Sequence, residues 1–317
     1  MASCVYADTI EISINNFPDD MFRDYVSKNW DNNNDGYLGD DEVSSAKTVD
    51  VDKMGIVNLK GIEFFTSMTT LHCSYNALTS LDITGLSNLR YLYCYNNALT
   101  TLTLSGCEKL VRLYCYNNSL TELNIAECPA LTRLICYYNS ITELDVSSCR
   151  ALTYLDCSHN SLSSLNLSQN TSLTELDCSY NILSSLNLNQ NTSLTELVCS
   201  HNSLSSLNLS QNKVLTKLYC SYNKLTALDV SDNTNLSSLS CGGNSLSVLN
   251  LSNNNKISTL SCAQTINDQL IVRTTGNNTY YINLMNDLRI GTENIKNVIP
   301  ETVNGYNRSG NNLAVTL

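Results

Sequence analysis

A 21-residue period limits more than any other feature what this chain can fold into. Nine consecutive units run from TTLHCSYNALTSLDITGLSNL (69–89) to SSLSCGGNSLSVLNLSNNNKI (237–257), and a tenth opens at STLSC (258–262). Each approximates xxLxCxxNxLxxLxLxxNxxL, with Leu71, Leu92, Leu113 and Leu134 in one column and Asn76, Asn97, Asn118 and Asn139 in another. Ten cysteines recur every 21 residues from Cys73 to Cys262, a pattern that chance does not produce. Within one unit Leu71, Cys73, Leu78, Leu81 and Ile83 are directed to a common interior, so no unit can bury its apolar side alone. Stacking closes that interior, with one short strand per turn rising ~4.8 Å in a parallel sheet and about ten turns spanning on the order of 45–50 Å.

The consensus is that of a leucine-rich repeat with Cys where many such repeats carry Leu. The fold class expected is an α/β-type repeat solenoid dominated by β, a curved array with its parallel sheet on the concave face. The side-chain amide of Asn76 and its equivalents can satisfy backbone groups where the chain leaves each strand, linking one turn to the next. Residues 67–262 form the array, 1–66 an N-terminal cap with a small helix, and 263–317 a β-rich C-terminal cap.

Thirteen of the fourteen cysteines fall in two columns, the strand column and a shorter one of Cys107, Cys128 and Cys149. Later repeats fill the second column with Asn170, Asn191, Asn212 and Asn233. No CxxC pair is present to gather a metal, and near-equivalent thiols do not make a distinguished nucleophile. In-register parallel neighbours hold their Cβ vectors parallel, a poor match to disulfide geometry. The strand-column cysteines therefore read as small, reduced core residues. The shorter column, which replaces a polar residue, has no clear role from sequence.

The N-terminal cap carries chemistry of its own. Residues 19–30 read as a helix, with Phe22, Tyr25, Val26 and Trp30 at helical spacing behind Asp19 and Asp20. DNNNDGYLGDDE (31–42) then matches an EF-hand calcium loop. The donors would be Asp31, Asn33, Asp35, the Tyr37 carbonyl and Glu42, with Gly36 at the sharp turn and Gly39 acting through water. A single loop of this kind suits a structural calcium better than a sensor. VDVDKMGIVNLKGIEFF (49–65) reads as a degenerate first repeat. At the other end, Gly276-Asn277-Asn278 between two β-rich runs reads as a hairpin and SGNN (309–312) as a further turn.

Charge and composition exclude several functions. The net charge is −11, and residues 1–66 hold thirteen acidic against five basic residues. No basic stripe suggests nucleic acid, and no apolar run is long enough to span a membrane. The opening MASCVYADTIEI has neither the charged region nor the apolar core of an export leader, and no leader precedes Cys4. The histidines His72, His159 and His201 sit at positions set by the repeat, with no nucleophile to serve. A catalytic role is not expected.

The outward strand positions point to binding. Tyr91, Tyr93, Tyr95, Arg112, Tyr114, Tyr116, Arg133, Tyr137, Tyr138 and Tyr154 cluster in the repeats nearer the N-terminus. Asp156, Glu175, Asp177 and Glu196 follow, and then the small residues Ser238, Ser240, Gly242 and Ser261. Tyr and Arg supply large contact area and directional polar groups, and they are enriched in binding hot spots. Exposed strands favour aromatics in any case, but propensity alone would spread tyrosine evenly. The ligand expected is a protein, with a glycan as the alternative on the same Tyr-rich face.

The 21-residue repeats with a cysteine column resemble the internalin J branch of the internalins, which are bacterial surface adhesins. FPDDMFRDYVSKNWDNNNDGYLGDDEV followed by GIVNLKGIEFF is similar to the N-terminal region of leucine-rich-repeat surface proteins of gut bacteria. The resemblance covers most of residues 17–262 and implies an extracellular or cell-surface protein of adhesion or partner recognition, without naming a partner.

Overall fold

The computed structural model describes residues 9–262 and the backbone of two further strands, Gln269–Arg273 and Thr279–Asn283. It is a β-dominated solenoid with a parallel sheet. The described chain divides into two compact units, one of residues up to 152 with 159–161, the other of 153–158 and those from 162 onward.

In the first unit the strands Thr48–Asp50, Thr70–His72, Tyr91–Tyr93, Arg112–Tyr114 and Arg133–Ile135 pair in parallel and in register. Each is three residues long, and its central residue (Val49, Leu71, Leu92, Leu113, Leu134) is fully buried while its neighbours face outward. Ser80–Asp82 and Thr101–Thr103 form a smaller parallel pair on the return path of the first two full repeats. The second unit repeats the plan with Tyr154–Asp156, Glu175–Asp177, Glu196–Val198, Lys217–Tyr219, Ser238–Ser240 and Thr259–Ser261. At its end Gln269–Arg273 pairs in parallel with Val248–Asn250 and antiparallel with Thr279–Asn283. The two long strands are those of the expected hairpin. Its turn and the SGNN segment lie outside the described residues.

Asparagines couple the turns as their column predicts. In Asn97 the amide oxygen accepts from the Leu78 N–H at 3.1 Å, while the amide nitrogen donates to the carbonyls of Cys73 at 3.0 Å and Cys94 at 3.1 Å. One side chain thus satisfies backbone groups of its own turn and the preceding one. Asn118 and Asn139 repeat the pattern in the first unit, Asn202 and Asn223 in the second.

The N-terminal helix α1 spans Asp20–Trp30, and Asp19 is its N-cap, accepting from the N–H groups of Met21 and Phe22. Phe22, Val26 and Trp30 form its buried side. The Trp30 ring lies 4.8 Å from that of Phe65 and the Phe17 ring 5.8 Å from that of Phe22, so the cap packs as an aromatic cluster against the degenerate first repeat. Gly61 permits this approach. Its φ is +101°, and a Cβ there would stand 2.3 Å from the Phe17 ring. A second helix, α2 (Asp40–Ser45), follows the acidic loop, and the strand Ile10–Glu11 pairs antiparallel with Tyr37–Leu38 inside that loop.

Candidate functional site

The ten Tyr and Arg residues expected to form a patch fall in four different places in the structure. Tyr91, Tyr93, Arg112, Tyr114 and Arg133 stand on the outward side of three adjacent strands of the first unit. Arg112 is exposed and the other four are half-buried. The Arg112 guanidinium lies 5.6 Å from the centroid of the Tyr91 ring. Tyr93 meets Tyr114 edge to face at 5.1 Å and stacks on His72 at 4.5 Å. His72 therefore belongs to this surface, as does Ile135, opposite Tyr114 in register. Sequence reasoning missed both because it searched for tyrosine and arginine rather than for strand position.

Tyr95, Tyr116 and Tyr137 do not lie on the three-residue strands but two residues beyond them. Their rings stack nearly parallel, Tyr95 on Tyr116 at 4.4 Å and Tyr116 on Tyr137 at 4.5 Å. Burial, followed by the neighbouring hydroxyls of Tyr137, Tyr95 and Tyr75, pushes the Tyr116 phenol well above its ordinary range. These three form a spine whose central ring has both faces covered.

Tyr138 is placed differently again. It occupies a column in left-handed backbone with Tyr75, Asn96, Asn117 and His159, at φ near +50° throughout. It is 52 % exposed, and its ring stacks on His159 at 4.1 Å. Within the second unit Tyr180, His201 and Tyr222 take the same left-handed backbone, and their rings stack at 4.1 and 4.4 Å. Tyr154 belongs to the second unit, on the same strand as Asp156. On the strands that follow, Glu175, Asp177 and Glu196 form an acidic set, and Lys217 donates to Glu196 at 2.8 Å.

In the N-terminal loop the carboxylates turn toward backbone donors. Asp31 accepts from the N–H groups of Asp35 at 3.0 Å and Gly36 at 3.2 Å, and Asn33 also accepts from Asp35 at 3.0 Å. Asp35 accepts from Tyr37 at 2.9 Å. Glu42 accepts from Asn32 at 2.8 Å through one oxygen and from Gly39 at 2.9 Å through the other. Gly36 takes the positive φ, +84°, that the tight turn demands. Asp31 and Glu42 are buried and, among the described residues, neither is ion-paired. No three His, Cys, Asp or Glu side chains converge as a ready metal cluster among the described residues. The donors are all oxygen, which suits a hard cation such as calcium and no soft metal.

The strand-column cysteines are free thiols with no solvent exposure, a ladder through the core. Burial raises their ionisation well out of the ordinary range for Cys94, Cys115, Cys199 and Cys241, and to about 12 for Cys220 and Cys262. Such thiols are inert. The shorter column finds its explanation in hydrogen bonding. Cys149 directs its thiol to the carbonyls 24 and 21 residues back, Ile125 at 3.8 Å and Cys128 at 3.5 Å. Asn191 donates to the equivalent pair, Leu167 at 3.1 Å and Asn170 at 2.9 Å. Cysteine and asparagine are alternative donors for one position.

Stacked turns, an asparagine ladder and a cysteine ladder define a leucine-rich-repeat solenoid, a fold that points to protein binding. Residues 66–106 match the family of leucine-rich repeats in two copies. More particularly, the chain is internalin-like. Over 85 % of its length it is 32 % identical to the functional domain of InlJ from Listeria monocytogenes, which includes a cysteine ladder, at a TM-score of 0.64. It spans 62 % of that chain. It is 27 % identical to a leucine-rich-repeat protein of Leptospira interrogans over 65 % of its own length and 58 % of the other's, at a TM-score of 0.58. The internalin InlF of Listeria monocytogenes shares the fold at 18 % identity and a TM-score of 0.50, with 84 % of this chain and 93 % of that one covered. No curated protein sequence matches the chain. Among the described residues no helix is long and apolar enough to cross a membrane.

Proposed function

We propose that the chain is a non-enzymatic binding protein that recognises a protein partner through the strand face of its first unit, displayed outside a bacterial cell in adhesion or partner recognition. One observation carries this reading. Tyr91, Tyr93, Arg112, Tyr114 and Arg133 share the outward side of adjacent strands whose inward side is locked in the core. Large side chains on a rigid sheet lose little freedom on binding, which favours hot-spot energetics. The likeness to InlJ supports the extracellular setting. A glycan is less well served, because a sugar stacks on an open ring face. The central ring of the Tyr95–Tyr116–Tyr137 spine is covered on both faces by its neighbours, and His72 and Tyr114 flank Tyr93.

A host-protein pull-down beside a glycan array tests the reading. Alanine at Tyr93, Tyr114, Arg112 or Arg133 is expected to cost roughly 1–3 kcal/mol of binding to the captured protein while leaving the fold intact. Ser240→Ala and Ser261→Ala are the controls. A quadruple alanine variant that binds as tightly as the parent overturns the assignment of this face, and capture of glycans alone overturns the partner class.

The 31–42 loop is proposed as a structural calcium site, with Asp31, Asn33, Asp35, the Tyr37 carbonyl and Glu42 as the residues that would hold the ion. The buried, un-ion-paired carboxylates of Asp31 and Glu42 favour it. Thermal unfolding in calcium and in chelator tests it.

A further inference from the structure

The acidic loop at 31–42 is joined from outside by a second strand, and that pairing decides where one backbone oxygen points. The Ile12 N–H donates to the Gly36 carbonyl at 2.9 Å, and Ile10 stands opposite Leu38 and Glu11 opposite Tyr37 in an antiparallel register. In such a ladder hydrogen-bonded pairs alternate with pairs whose backbone groups point away from each other. Ile12 with Gly36 and Ile10 with Leu38 are of the first kind, so Glu11 with Tyr37 is of the second. Two contacts agree with this. The Tyr37 N–H turns to the Asp35 carboxylate at 2.9 Å, and the Glu11 carbonyl turns away to accept from Ser13 and from the Asn16 amide, each at 2.9 Å. The Tyr37 carbonyl leaves its strand on the same side as its N–H, toward the loop carboxylates. Among the described residues none donates to it. The side-chain oxygens of Asp31, Asn33, Asp35 and Glu42 are steadied by N–H groups of the loop itself, whereas this backbone oxygen is steadied from outside.

We infer that Ile10, Glu11 and Ile12 belong to the cation site, as positioning residues whose backbone aims the Tyr37 carbonyl at a calcium ion. The inference rests on the calcium reading above and adds to it residues from beyond the loop. A main-chain oxygen at the seventh position of such a loop must face the ion together with the carboxylates. An unpaired loop could turn that peptide either way, and the freedom lost on fixing it would weaken binding. The ladder removes that freedom in advance. The segment is itself held in place. The Phe17 N–H donates to the Ser13 carbonyl and the Phe17 carbonyl accepts from Arg23, each at 2.8 Å, while the Phe17 ring packs against Phe22 and Phe65. Calcium occupancy and docking of the N-terminal strand therefore favour each other, because both fix the same peptide.

Calorimetric titration of the full chain with calcium, the ion alone being the probe, compares the parent with three variants. Ile12→Pro removes the N–H that holds Gly36, and proline keeps the preceding residue extended, as Glu11 already is. It is expected to bind calcium about tenfold more weakly, because one ligand loses its fixed direction. Ile12→Ala keeps the N–H and loses only side-chain packing. Glu11→Gln removes an exposed charge opposite Tyr37 and leaves the ladder alone. Both should stay within about twofold of the parent. In the parent, calcium should also slow hydrogen exchange at the Ile12 and Leu38 amides about tenfold relative to chelator, a readout that holds even if Ile12→Pro does not fold. The positioning role is overturned if folded Ile12→Pro binds like the parent, or if Ile12→Ala or Glu11→Gln loses as much as Ile12→Pro. It is overturned equally if the parent binds calcium and exchange at Ile12 and Leu38 does not change. In each of these outcomes the loop remains a calcium site. A parent that binds no calcium overturns the site itself, and the role of the strand with it.

Discussion

At the scale of single residues, buried polar atoms decide more here than surface ones. Asp19 is the clearest instance, for its carboxylate is buried and used on both sides. One oxygen caps α1 through Met21 and Phe22, and the other accepts from the N–H groups of Val57 at 2.8 Å and Asn58 at 3.2 Å. Asp19→Ala therefore removes a helix cap and leaves repeat N–H groups without their acceptor, at an expected cost of about 2–4 kcal/mol. Asp19→Asn, which keeps one carbonyl acceptor, should cost less than half of that in denaturant titration. The cysteines make a second prediction, about pH. Their thiols ionise only with difficulty while buried, to about 11 for Cys107 and about 12 for Cys128, Cys220 and Cys262. In the unfolded chain a thiol ionises near ~8.5. The folded protein thus holds protons that the unfolded chain releases above that pH. The stabilisation is fully present below ~8.5 and falls as pH rises toward the folded-state values. Each such thiol contributes up to ~1.4 kcal/mol per pH unit to the decline. Melting followed from pH 7.5 to pH 10 should show a steep loss that shrinks in a variant with several strand-column cysteines changed to alanine. A flat profile in both proteins would mean that these thiols are not protected by burial.

At the scale of elements, the ladders carry the fold. The second column shows how a thiol and an amide can exchange roles. Asn212 donates to the carbonyls of Leu188 at 3.2 Å and Asn191 at 2.9 Å, while its own buried amide oxygen has no donor. Leucine there would withdraw both hydrogen bonds, and Asn212→Leu should cost ~1–2 kcal/mol. Asn212→Cys should cost less, because a thiol reaches the same carbonyls and carries no stranded oxygen. Equal losses in the two variants would show that volume rather than hydrogen bonding sets this position. Much of this level was legible in the sequence. A fixed 21-residue spacing places Leu, Cys and Asn in columns, and the columns alone give strand register, inward faces and the bonding role of Asn97. The cap helix was legible from Phe22, Val26 and Trp30. What escaped was set by backbone geometry that periodicity does not encode. Strands of only three residues leave Tyr95, Tyr116 and Tyr137 beyond the sheet, and Tyr138 adopts a left-handed turn that its residue type does not announce. A column in which Cys149 precedes Asn170 looks like a change of chemistry until both are placed beside equivalent carbonyls.

At the scale of the whole molecule, a solenoid is stable only if its ends are closed, because each repeat depends on its neighbours for a core. The N-terminal closure here is a cluster of Phe17, Phe22, Trp30 and Phe65 tied to the first repeat by Asp19, and it continues directly into the acidic 31–42 loop. That loop concentrates Asp31, Asp35, Asp40, Asp41 and Glu42 within twelve residues of a chain already at −11. Left to itself, such a density of like charge opposes the compact cap. Calcium binding to the folded loop would remove that repulsion, and any ion that binds the folded state alone adds RT ln(1 + [L]/Kd) to stability. At a hundredfold excess over Kd this amounts to ~2.7 kcal/mol. Calcium is therefore expected to raise the unfolding temperature relative to chelator, and Glu42→Gln to abolish most of the rise by neutralising the bidentate ligand. Hydrogen exchange locates the effect. Protection should increase in α1, the loop and α2, and hardly at all in strands such as Lys217–Tyr219, because coupling along a repeat array passes through successive interfaces. A rise in unfolding temperature that persists in Glu42→Gln, or protection that grows evenly along the array, would place the ion elsewhere. No rise at millimolar calcium would remove the site and leave the loop held by the hydrogen bonds of Asp31, Asn33, Asp35 and Glu42 to its backbone and by its pairing with Ile10–Glu11.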